Sequence, residues 1–401
     1  MTTAGGAPRY RKRRHPALLV TLLLVGCVLA ALLSEGAFRL CWSLPPWFAE
    51  FQQAGMYVPA SDNDVALQPG YRGTLQVDAL TTVSINALGM RDREFASKQP
   101  GERRLLVLGD SMVWGYGVDV EQALPARLEH ELRAVGVTVT VGNGGVPGYG
   151  SKHVAQHLLR LDAAFAPDAV VVCGCLGNDS LDDLAPERTV YAGLMMQGGF
   201  ARLVRSSVRA RLAFRSRAWL WFESWLVVNR PPSSLLAMVP LDPEESVRMA
   251  GLPTGKTFGG LFLDVQDEAK TWQPGTSAVV PRLLEVLRGS LRSLQQAAGT
   301  RPLVFVVLPT SWQVVERRRV EKLQELGFDP IEFDRGLAQR RWLAVAKELG
   351  IAAFDATPLL ADDADAGAAF ISDGGHYKAL GNERVAKWLA AELVKVLATP
   401  R

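Results

Sequence analysis

The stretch RLLVLGDS, residues 104–111, decides the fold prediction for this chain. Leu105–Leu108 is a short, continuous apolar run, as expected for a β-strand that is buried on both faces. Gly109 then allows the chain to turn sharply, and Ser111 opens a helix, where free N–H groups and the helix dipole favour a developing negative charge. Gly-Asp-Ser alone is also a common helix cap. The stretch therefore predicts a buried strand that leads into a candidate anion site.

The same alternation of strand and helix recurs along the chain. Further apolar runs predict strands at Val137–Val141, Ala169–Cys173, Leu303–Leu308 and Ala352–Asp355. Helical patterns are found at about residues 121–135, 152–164, 281–297, 334–349 and 379–397. Buried strands that alternate with helices indicate a parallel sheet covered on both faces. We therefore predict an α/β fold, a doubly wound three-layer α/β/α sandwich with a central parallel sheet.

The N-terminus has the pattern of a membrane anchor. Residues 1–14 carry five basic side chains and no acidic one, and an apolar run of 17 residues starts at Ala17. This length is at the short end of what crosses a bilayer as a helix. We predict a transmembrane signal anchor at residues 16–34 and, by the positive-inside rule, a cytoplasmic basic tail at 1–15. The alternatives are a cleaved signal peptide and a lipoprotein, since Leu24–Cys27 resembles the sequence before an acylated cysteine.

The rest of the chain is predicted to lie outside the cytoplasm, as a single-pass membrane protein. Residues 35–100 are predicted to form a juxtamembrane link and an N-terminal extension, and 101–398 the main domain. The alternation is lost at about 185–275, which we interpret as a solvated helical insertion beside the strand-end site. A membrane-surface or acidic-ligand role is the alternative, because the segment is rich in arginine and tryptophan. These residues are Arg202, Arg205, Arg209, Arg211, Arg215, Arg217, Trp219, Trp221 and Trp225.

The charge balance does not favour a nucleic-acid partner. The chain has 44 basic and 41 acidic residues, and without the N-terminal cluster 39 basic residues face 41 acidic ones. Nucleic-acid binding needs a clustered basic face on the folded domain. The four cysteines are too few for a disulfide framework in a chain of this size, and no Cys/His spacing suggests a metal site. We read Cys173 and Cys175 as small buried apolar residues.

Glycine-rich and polar segments follow the predicted strands. In open α/β sheets, ligands bind just beyond the carboxyl ends of the strands. Such segments lie at 109–111, 144–150 and 177–179, and a fourth, 373–376, precedes the last helix. The second is rich in glycine, which lets backbone N–H groups approach a ligand closely, although a tight turn needs the same residues. In the third, the Asn178 amide is able to donate to an oxyanion.

His376 is the candidate general base. Asp373 lies three residues before it in a predicted turn, so its carboxylate can accept the Nδ1–H and leave Nε2 ready to take a proton. Of the other histidines, His15 borders the apolar run. The remaining three lie in helical stretches away from the strand ends: His130, His153 and His157. Only His376 combines a carboxylate neighbour with a position at a strand-to-helix junction.

In this order, the four segments resemble those of the GDSL-type SGNH hydrolase family of esterases and lipases, in which Ser, Gly, Asn and His come from separate strand-end loops. Met112 stands where the family name has Leu, at a packing position. The resemblance covers about residues 101–398. Upstream, Ile85–Arg91 resembles the segment that leads into the catalytic domain of many bacterial membrane-anchored members. The resemblance implies a flavodoxin-like version of the predicted sandwich.

The resemblance also implies the roles of single residues. The implied catalytic triad is Ser111, His376 and Asp373. The implied oxyanion-hole donors are the Ser111 N–H, the Gly148 N–H and the Asn178 amide, with Gly145 as the alternative donor of the second loop. No cofactor and no metal ion is implied.

The predicted activity is therefore that of an extracytoplasmic serine ester hydrolase, which forms an acyl-serine intermediate from a small-molecule or glycan ester. An O-acetyltransferase or O-deacetylase acting on a cell-envelope polysaccharide is the first alternative, because these residues leave the acyl acceptor open. A non-catalytic glycan-binding envelope protein is the alternative of another class. The complete set of Ser111, Asn178, Asp373 and His376 speaks against it, since a protein without catalysis need not retain all four.

Overall fold

The computed structural model describes two compact units. The described residues are 16–42, 55–60, 64–177, 179–184, 188–233, 279–325, 329–361, 366–372 and 374–397. The first unit is drawn from residues 1–49 and 207–238, and the second from residues 50–206 and 239–401. All four predicted strand-end segments belong to the second unit.

Within the described residues, the elements have the following bounds. The strands are β1 (Tyr57–Pro59), β2 (Val65–Leu67), β3 (Arg72–Gln76), β4 (Leu80–Ser84), β5 (Arg104–Gly109), β6 (Thr140–Gly145), β7 (Ala169–Cys175), β8 (Arg188–Tyr191), β9 (Leu194–Gln197), β10 (Leu303–Leu308) and β11 (Ala352–Asp355). The helices are α1 (Pro16–Cys41), α2 (Ser111–Trp114), α3 (Leu124–Ala134), α4 (Ser151–Phe165), α5 (Asp179–Leu184), α6 (Gly198–Ser206), α7 (Val208–Ala213), α8 (Arg217–Asn229), α9 (Val279–Ala298), α10 (Ser311–Val314), α11 (Glu316–Glu325), α12 (Leu337–Glu348), α13 (Thr357–Leu360) and α14 (Ala379–Leu397).

Five parallel strands form the central sheet of the second unit. They are hydrogen-bonded in the order β11-β10-β7-β5-β6. Counted along the chain, this is the order 2-1-3-4-5 of a flavodoxin-like, doubly wound sheet. The predicted α/β fold with a central parallel sheet is therefore confirmed.

Helices cover both faces of this sheet. Successive side chains of a strand point to opposite faces, so each central strand contributes to the core on both sides. Leu106 and Leu108 of β5 belong to the apolar core that includes α4, α9 and α12. Leu105 and Val107 belong to the core on the other face, with α3 and α14. All four side chains are buried almost completely. A continuous apolar run is what a strand between two such layers requires.

Strand β6 differs from its prediction. The apolar run starts at Val137, but the strand covers 140–145 and includes glycines that the sequence suggested were loop. A Cβ atom at Gly142 would lie 2.6 Å from the ring of Phe165, and one at Gly144 would lie 2.5 Å from Leu108. These glycines therefore give room to packed side chains, and the loop itself begins only after Gly145.

Two antiparallel hairpins, β1–β2 and β3–β4, precede the sheet. Their apolar side chains form a separate core with Trp114, which is the last residue of α2, and with Tyr149. This core ties the predicted N-terminal extension to the region around Ser111.

Arg91 joins the extension to the segment after α2. Its side chain is buried, and its Nη1 donates to the carbonyls of Gly115 (2.5 Å) and Trp114 (3.2 Å). Nη2 donates to the carbonyls of Val118 (2.7 Å) and Thr82 (3.0 Å). The guanidinium also lies 4.3 Å from the centre of the Trp114 ring. Burial lowers the pKa of Arg91 to about 10, so the group stays charged at neutral pH.

The first unit contains α1, α7 and α8. The 26 residues of α1 span about 39 Å at 1.5 Å per residue, and the helix has no buried residue. Its length and the mean hydropathy of 2.7 over its most apolar 18 residues are sufficient for crossing a membrane, although a signal sequence has the same properties. The helix extends beyond the predicted anchor, to Cys41 instead of residue 34. The predicted domain boundaries stay predictions.

We predict that Arg91→Lys lowers the stability of the chain. A lysine has no planar fork and is unable to satisfy four carbonyls, and each buried polar group left without a partner costs about 1–3 kcal/mol. The free energy of unfolding, measured by chemical denaturation in detergent, should fall by about 2 kcal/mol or more. Arg93→Lys is the matched control: Arg93 is half exposed, lysine keeps the charge, and its partner Glu129 keeps Arg133 and the Val141 N–H, so the change should cost less than about 1 kcal/mol. Equal losses in the two variants would contradict the structural role of Arg91.

Candidate active site

The loops after the parallel strands are joined to one another by backbone hydrogen bonds. Gly109 at the end of β5 pairs in register with Gly145 at the end of β6. The N–H of Val146 then donates to the Gly109 carbonyl at 3.0 Å. Beyond β7, the N–H of Leu176 donates to the carbonyl of Leu308 at the end of β10, at 3.1 Å. The strand ends therefore form one continuous edge, where a doubly wound sheet binds its ligands.

Ser111 is the first residue of α2 and lies at this edge. The Asp110 carboxylate caps the helix by accepting the Met112 N–H at 2.8 Å. A side chain at Gly109 has no room, because its Cβ would lie 2.6 Å from Val113 and 2.8 Å from the Cys173 carbonyl. Ser111 is 9% exposed, and as the first residue of the helix its N–H has no acceptor in a preceding helical turn.

The side chain of His376 contacts that of Ser111. The Ser111 Oγ lies 2.8 Å from the His376 Nε2, although the two residues are 265 positions apart. Backbone hydrogen bonds hold the histidine loop: Ile371 donates to the His376 carbonyl, and Ser311 donates to the Gly374 carbonyl. Gly374 has a positive φ of 74°, and a Cβ there would lie 2.7 Å from Ser311 Oγ, so this turn requires glycine.

Tyr116 contacts His376 and was not singled out by the sequence. Its ring centre lies 4.5 Å from that of the imidazole, with 33° between the planes. Its own N–H donates to the Ser111 carbonyl at 3.1 Å, so Tyr116 is fixed to the short helix that carries Ser111. The imidazole therefore packs against an aromatic ring from the segment just after Ser111. The Gly115-Tyr116-Gly117 sequence was the available signal, since two glycines frame an aromatic residue next to a strand-end loop.

The two candidate glycines of the second loop differ in their hydrogen bonds. The Gly145 N–H donates to the Asn143 Oδ1 at 3.0 Å, so it is already used. No described residue accepts a hydrogen bond from the Gly148 N–H. Gly148 also has a positive φ of 79°, which few other residues adopt. These observations favour Gly148 over Gly145 as a donor to a ligand.

Arg188 of β8 holds the carbonyl side of this turn. Its Nη2 donates to the Gly148 carbonyl, and the same guanidinium lies 3.7 Å from Asp182 and 5.6 Å from the centre of the Tyr149 ring. The side chain is only 3% exposed. Arg188 is a second buried arginine that supports a strand-end loop. Nothing in the local sequence pattern marked it, because its partners lie far away along the chain.

Two predicted site residues, Asn178 and Asp373, lie outside the described residues. Their neighbours are fixed by hydrogen bonds. Asp179 accepts the N–H of Cys175 at 2.9 Å. Burial raises the pKa of Asp179 well above its usual range, and the nearby Asp110 carboxylate raises it further.

His153 and His157 on α4 are buried helix residues, in line with their reading from the sequence. Their rings lie 5.4 and 5.5 Å from the centre of the Tyr149 ring. His153 Nδ1 accepts the N–H of Gly150 at 3.1 Å. Burial lowers the pKa of His153 to about 2 and that of His157 to about 3, and neighbouring arginines lower both further. Both are neutral at pH 7.

Among the described residues, no group of three or more His, Cys, Asp or Glu side chains is placed to hold a metal ion. The geometry that is present is that of a serine hydroxyl and an imidazole in hydrogen-bond contact at a helix start. Such a pair is able to activate the serine oxygen as a nucleophile.

We predict that His157 makes the chain less stable in acid. Its folded pKa of about 3 lies below the ordinary value of 6.5, so the unfolded chain binds more protons between these values. The stability that neutral His157 contributes is complete above pH 6.5 and is lost as the pH falls. Between pH 7 and pH 5, wild type should lose about 2 kcal/mol more unfolding free energy than His157→Gln, as measured by denaturation.

His130→Gln is the matched control, because His130 is exposed on α3 and stays in water when the chain unfolds. Its stability should follow that of wild type across the same pH range. If the unfolding free energies of wild type and His157→Gln change with pH in parallel, His157 is not buried in its neutral form.

Comparison with known proteins finds a family match over part of the chain. Residues 107–243, about a third of the chain, match the GDSL-like Lipase/Acylhydrolase family, and the matched range includes the first three strand-end segments. No protein with a curated function matches the chain.

Solved structures give weaker similarities. A lipase/acylhydrolase from Enterococcus faecalis is 15% identical, with 73% of this chain and 95% of that chain covered and a TM-score of 0.35. A carbohydrate acetylesterase from Sinorhizobium meliloti is 12% identical, with 74% and 100% covered and a TM-score of 0.36. An aryl esterase of M. smegmatis is 14% identical, with 73% and 99% covered and a TM-score of 0.34.

Similarities this low define neither the fold nor the substrate of this chain. The fold is defined by the chain's own strand order, 2-1-3-4-5. The match of residues 107–243 to the GDSL-like Lipase/Acylhydrolase family supports a hydrolase of ester bonds.

Proposed function

We propose that this chain is an extracytoplasmic serine ester hydrolase that works through an acyl-serine intermediate. The observation that carries the proposal is the 2.8 Å contact between Ser111 Oγ and His376 Nε2 at the carboxyl edge of the sheet. In the proposed triad, Asp373 accepts the Nδ1–H of His376. This tautomer leaves the Nε2 lone pair directed at the serine hydroxyl. The role of Asp373 comes from the family resemblance and from its position three residues before His376.

In the first step, Ser111 Oγ attacks the carbonyl carbon of the ester while its proton passes to His376 Nε2. The carbonyl oxygen becomes an oxyanion. The proposed donors to it are the Ser111 N–H, the Gly148 N–H and the Asn178 amide. The start of α2 at Ser111 and the availability of the Gly148 N–H support the two backbone donors.

The tetrahedral species then breaks its bond to the leaving oxygen, which takes the proton from His376 Nε2 and departs as the alcohol. In the second step, a water molecule gives a proton to His376 and attacks the acyl carbon. The Ser111 oxygen leaves and regains its proton from the imidazolium. The products are the alcohol, the carboxylic acid and the original enzyme, so atoms and protons balance over the cycle.

We predict that Ser111→Ala removes ester hydrolysis. The variant keeps the oxyanion donors but has no nucleophile, so kcat for p-nitrophenyl acetate should fall by on the order of 10⁴- to 10⁶-fold. A fluorophosphonate probe should label wild type at Ser111 and leave the variant unlabelled. Ser293→Ala is a suitable control, since the Ser293 hydroxyl bonds only within the exposed face of α9. Undiminished hydrolysis by Ser111→Ala would disprove the assignment.

The acceptor of the acyl group decides between hydrolase and transferase. For a hydrolase, acetate and p-nitrophenol should be released in equal amounts from p-nitrophenyl acetate, with or without a cello-oligosaccharide as a glycan acceptor. Both products are measured in the same reaction. If acetate release falls behind p-nitrophenol release and acetylated glycan accumulates, the enzyme is an acetyltransferase. Equal release excludes transfer to that acceptor.

The proposed location follows from α1 and the basic residues before it. An apolar helix without a buried residue is suited to a lipid environment, and residues 9–14 favour a cytoplasmic N-terminus. The second unit then lies on the other side of the membrane.

Two measurements test this location. The intact mass of the chain extracted from membranes should include residues 1–26, whereas a lipoprotein would have lost them and gained lipid on Cys27. A fusion of alkaline phosphatase after Arg401 should be active, because this reporter works only outside the cytoplasm. A lipidated N-terminus at Cys27 would replace the signal anchor by a lipid anchor, and an inactive fusion would contradict the extracytoplasmic placement.

A further inference from the structure

Helix α8 exposes an apolar face. Trp221, Phe222 and Trp225 are 40–42% exposed, and Val228 is 78% exposed. Their spacing places all four on one side of a helix with 3.6 residues per turn. The rings of Phe222 and Trp225 stack with centres 6.2 Å apart. We refer to these four residues as the aromatic stripe. Contiguous exposed apolar side chains of this size mark a surface that binds something.

The opposite face of α8 carries a buried charge. Glu223 is completely buried and accepts two hydrogen bonds from Arg209 of α7, at 2.6 and 2.7 Å. It also accepts the indole N–H of Trp219 at 3.0 Å. A helix in water normally turns its charged residues outward and its apolar residues inward. Helix α8 buries Leu220 and Leu226 in the usual way, but it also buries the Glu223 carboxylate and leaves the aromatic stripe exposed.

The start of α8 is attached to the C-terminal part of α1. Glu35 of α1 accepts hydrogen bonds from the Ser216 hydroxyl (2.7 Å) and from the N–H groups of Arg217 (2.9 Å) and Ala218 (3.1 Å). It therefore caps the N-terminus of α8, where a carboxylate also complements the helix dipole. One turn further along α1, the ring of Phe38 lies 5.3 Å from that of Trp221.

This attachment sets the depth of α8 in a membrane. Glu35 comes two residues after Leu33, the last residue of the apolar run. The capped end of α8 is therefore level with the point at which α1 leaves the hydrocarbon core. Tryptophan is enriched at this level of membrane proteins, because its ring is amphipathic. The described residues of the first unit also carry six arginines and two glutamates, a net charge of +4 that attracts anionic headgroups.

We propose that α8 lies on the bilayer that α1 crosses, with the aromatic stripe inserted between the headgroups and the acyl chains of anionic lipids. The proposal rests on α1 being a membrane anchor. It assigns Glu35 as the residue that holds α8 at the membrane surface. It also requires α1 to stay attached in the mature protein, because removal of α1 would remove the cap of α8.

The test uses nitroxide labels on the full-length chain in bilayers of phosphatidylcholine and phosphatidylglycerol. Cys27 and Cys41 are replaced by Ser, and Cys173 and Cys175 are buried and do not react. Single labels are attached at Val228→Cys in the stripe, at Val25→Cys in α1 and at Val135→Cys, an apolar residue that is 56% exposed in the second unit. Collisions with oxygen, which concentrates in lipid, are compared with collisions with the aqueous complex NiEDDA.

The label at residue 228 should collide more often with oxygen than with NiEDDA, as the label at residue 25 does, and the label at 135 should show the reverse. If residue 25 is in lipid while residue 228 is in water, the proposal for α8 is wrong and the anchor stands. If residue 25 itself is in water, the anchor and the α8 proposal are both wrong. Ester hydrolysis is measured separately, so neither result depends on the proposed triad.

A variant of the cap tests the role of Glu35. In Glu35→Ala, the label at residue 228 should become more mobile and severalfold more accessible to NiEDDA, while the label at residue 25 is unchanged. Glu285→Ala is the control, because Glu285 is an exposed glutamate on α9 that forms only a surface pair with Arg288. Accessibility at residue 228 that is the same in wild type and Glu35→Ala would overturn the assignment of Glu35.

Discussion

The hydrogen bond between Ser111 and His376 depends on how closely β5 packs between its neighbours. The serine follows a strand that is hydrogen-bonded to β6 on one side and β7 on the other. Gly109 allows this approach, since any side chain there would collide with Val113 and with the Cys173 carbonyl. The position of α2 is therefore set by backbone contacts on both sides. The serine hydroxyl is therefore held by the backbone of the sheet within hydrogen-bond distance of a histidine 265 residues away. Nucleophilic catalysis requires a nucleophile and base that are pre-organised in this way.

Two buried arginines, Arg91 and Arg188, hold the loops around that serine by donating to backbone carbonyls. The carbonyl groups of a strand-end loop accept no hydrogen bonds from a neighbouring strand. If such a carbonyl is buried without another donor, the folded state loses stability. Arg91 supplies donors to four such groups from the N-terminal extension, and Arg188 supplies one to the Gly148 carbonyl. The planar fork of arginine suits this task better than the single point charge of lysine. The extension before the sheet thus contributes to the site although it carries none of the predicted catalytic residues.

Local sequence patterns predicted the sheet and marked Ser111 and His376 separately as candidate site residues, while their pairing in one triad was implied by the family resemblance. Continuous apolar runs identify buried strands, and a doubly wound sheet brings the segments after them to one edge. The end of β6 was misplaced because its glycines make room for Phe165 and Leu108, which only the packed structure reveals. Arg91, Arg188 and Tyr116 were not assigned roles, since their partners are distant or belong to another motif. The roles of Asn178 and Asp373 stay predictions.

The two units differ in how much apolar surface they leave exposed, and the proposed membrane location accounts for this difference. In the second unit, both faces of the sheet bury their apolar residues beneath helices, as folding in water requires. In the first unit, α1 buries none of its residues, and α8 buries Glu223 with Leu220 and Leu226 but leaves the aromatic stripe exposed. Exposure of those side chains to water would oppose folding, whereas a lipid interface removes that cost and leaves the internal ion pair shielded. With the proposed lipid contact, the same physical principle, that apolar surface leaves water, accounts for the buried sheet and for the exposed aromatic stripe of α8.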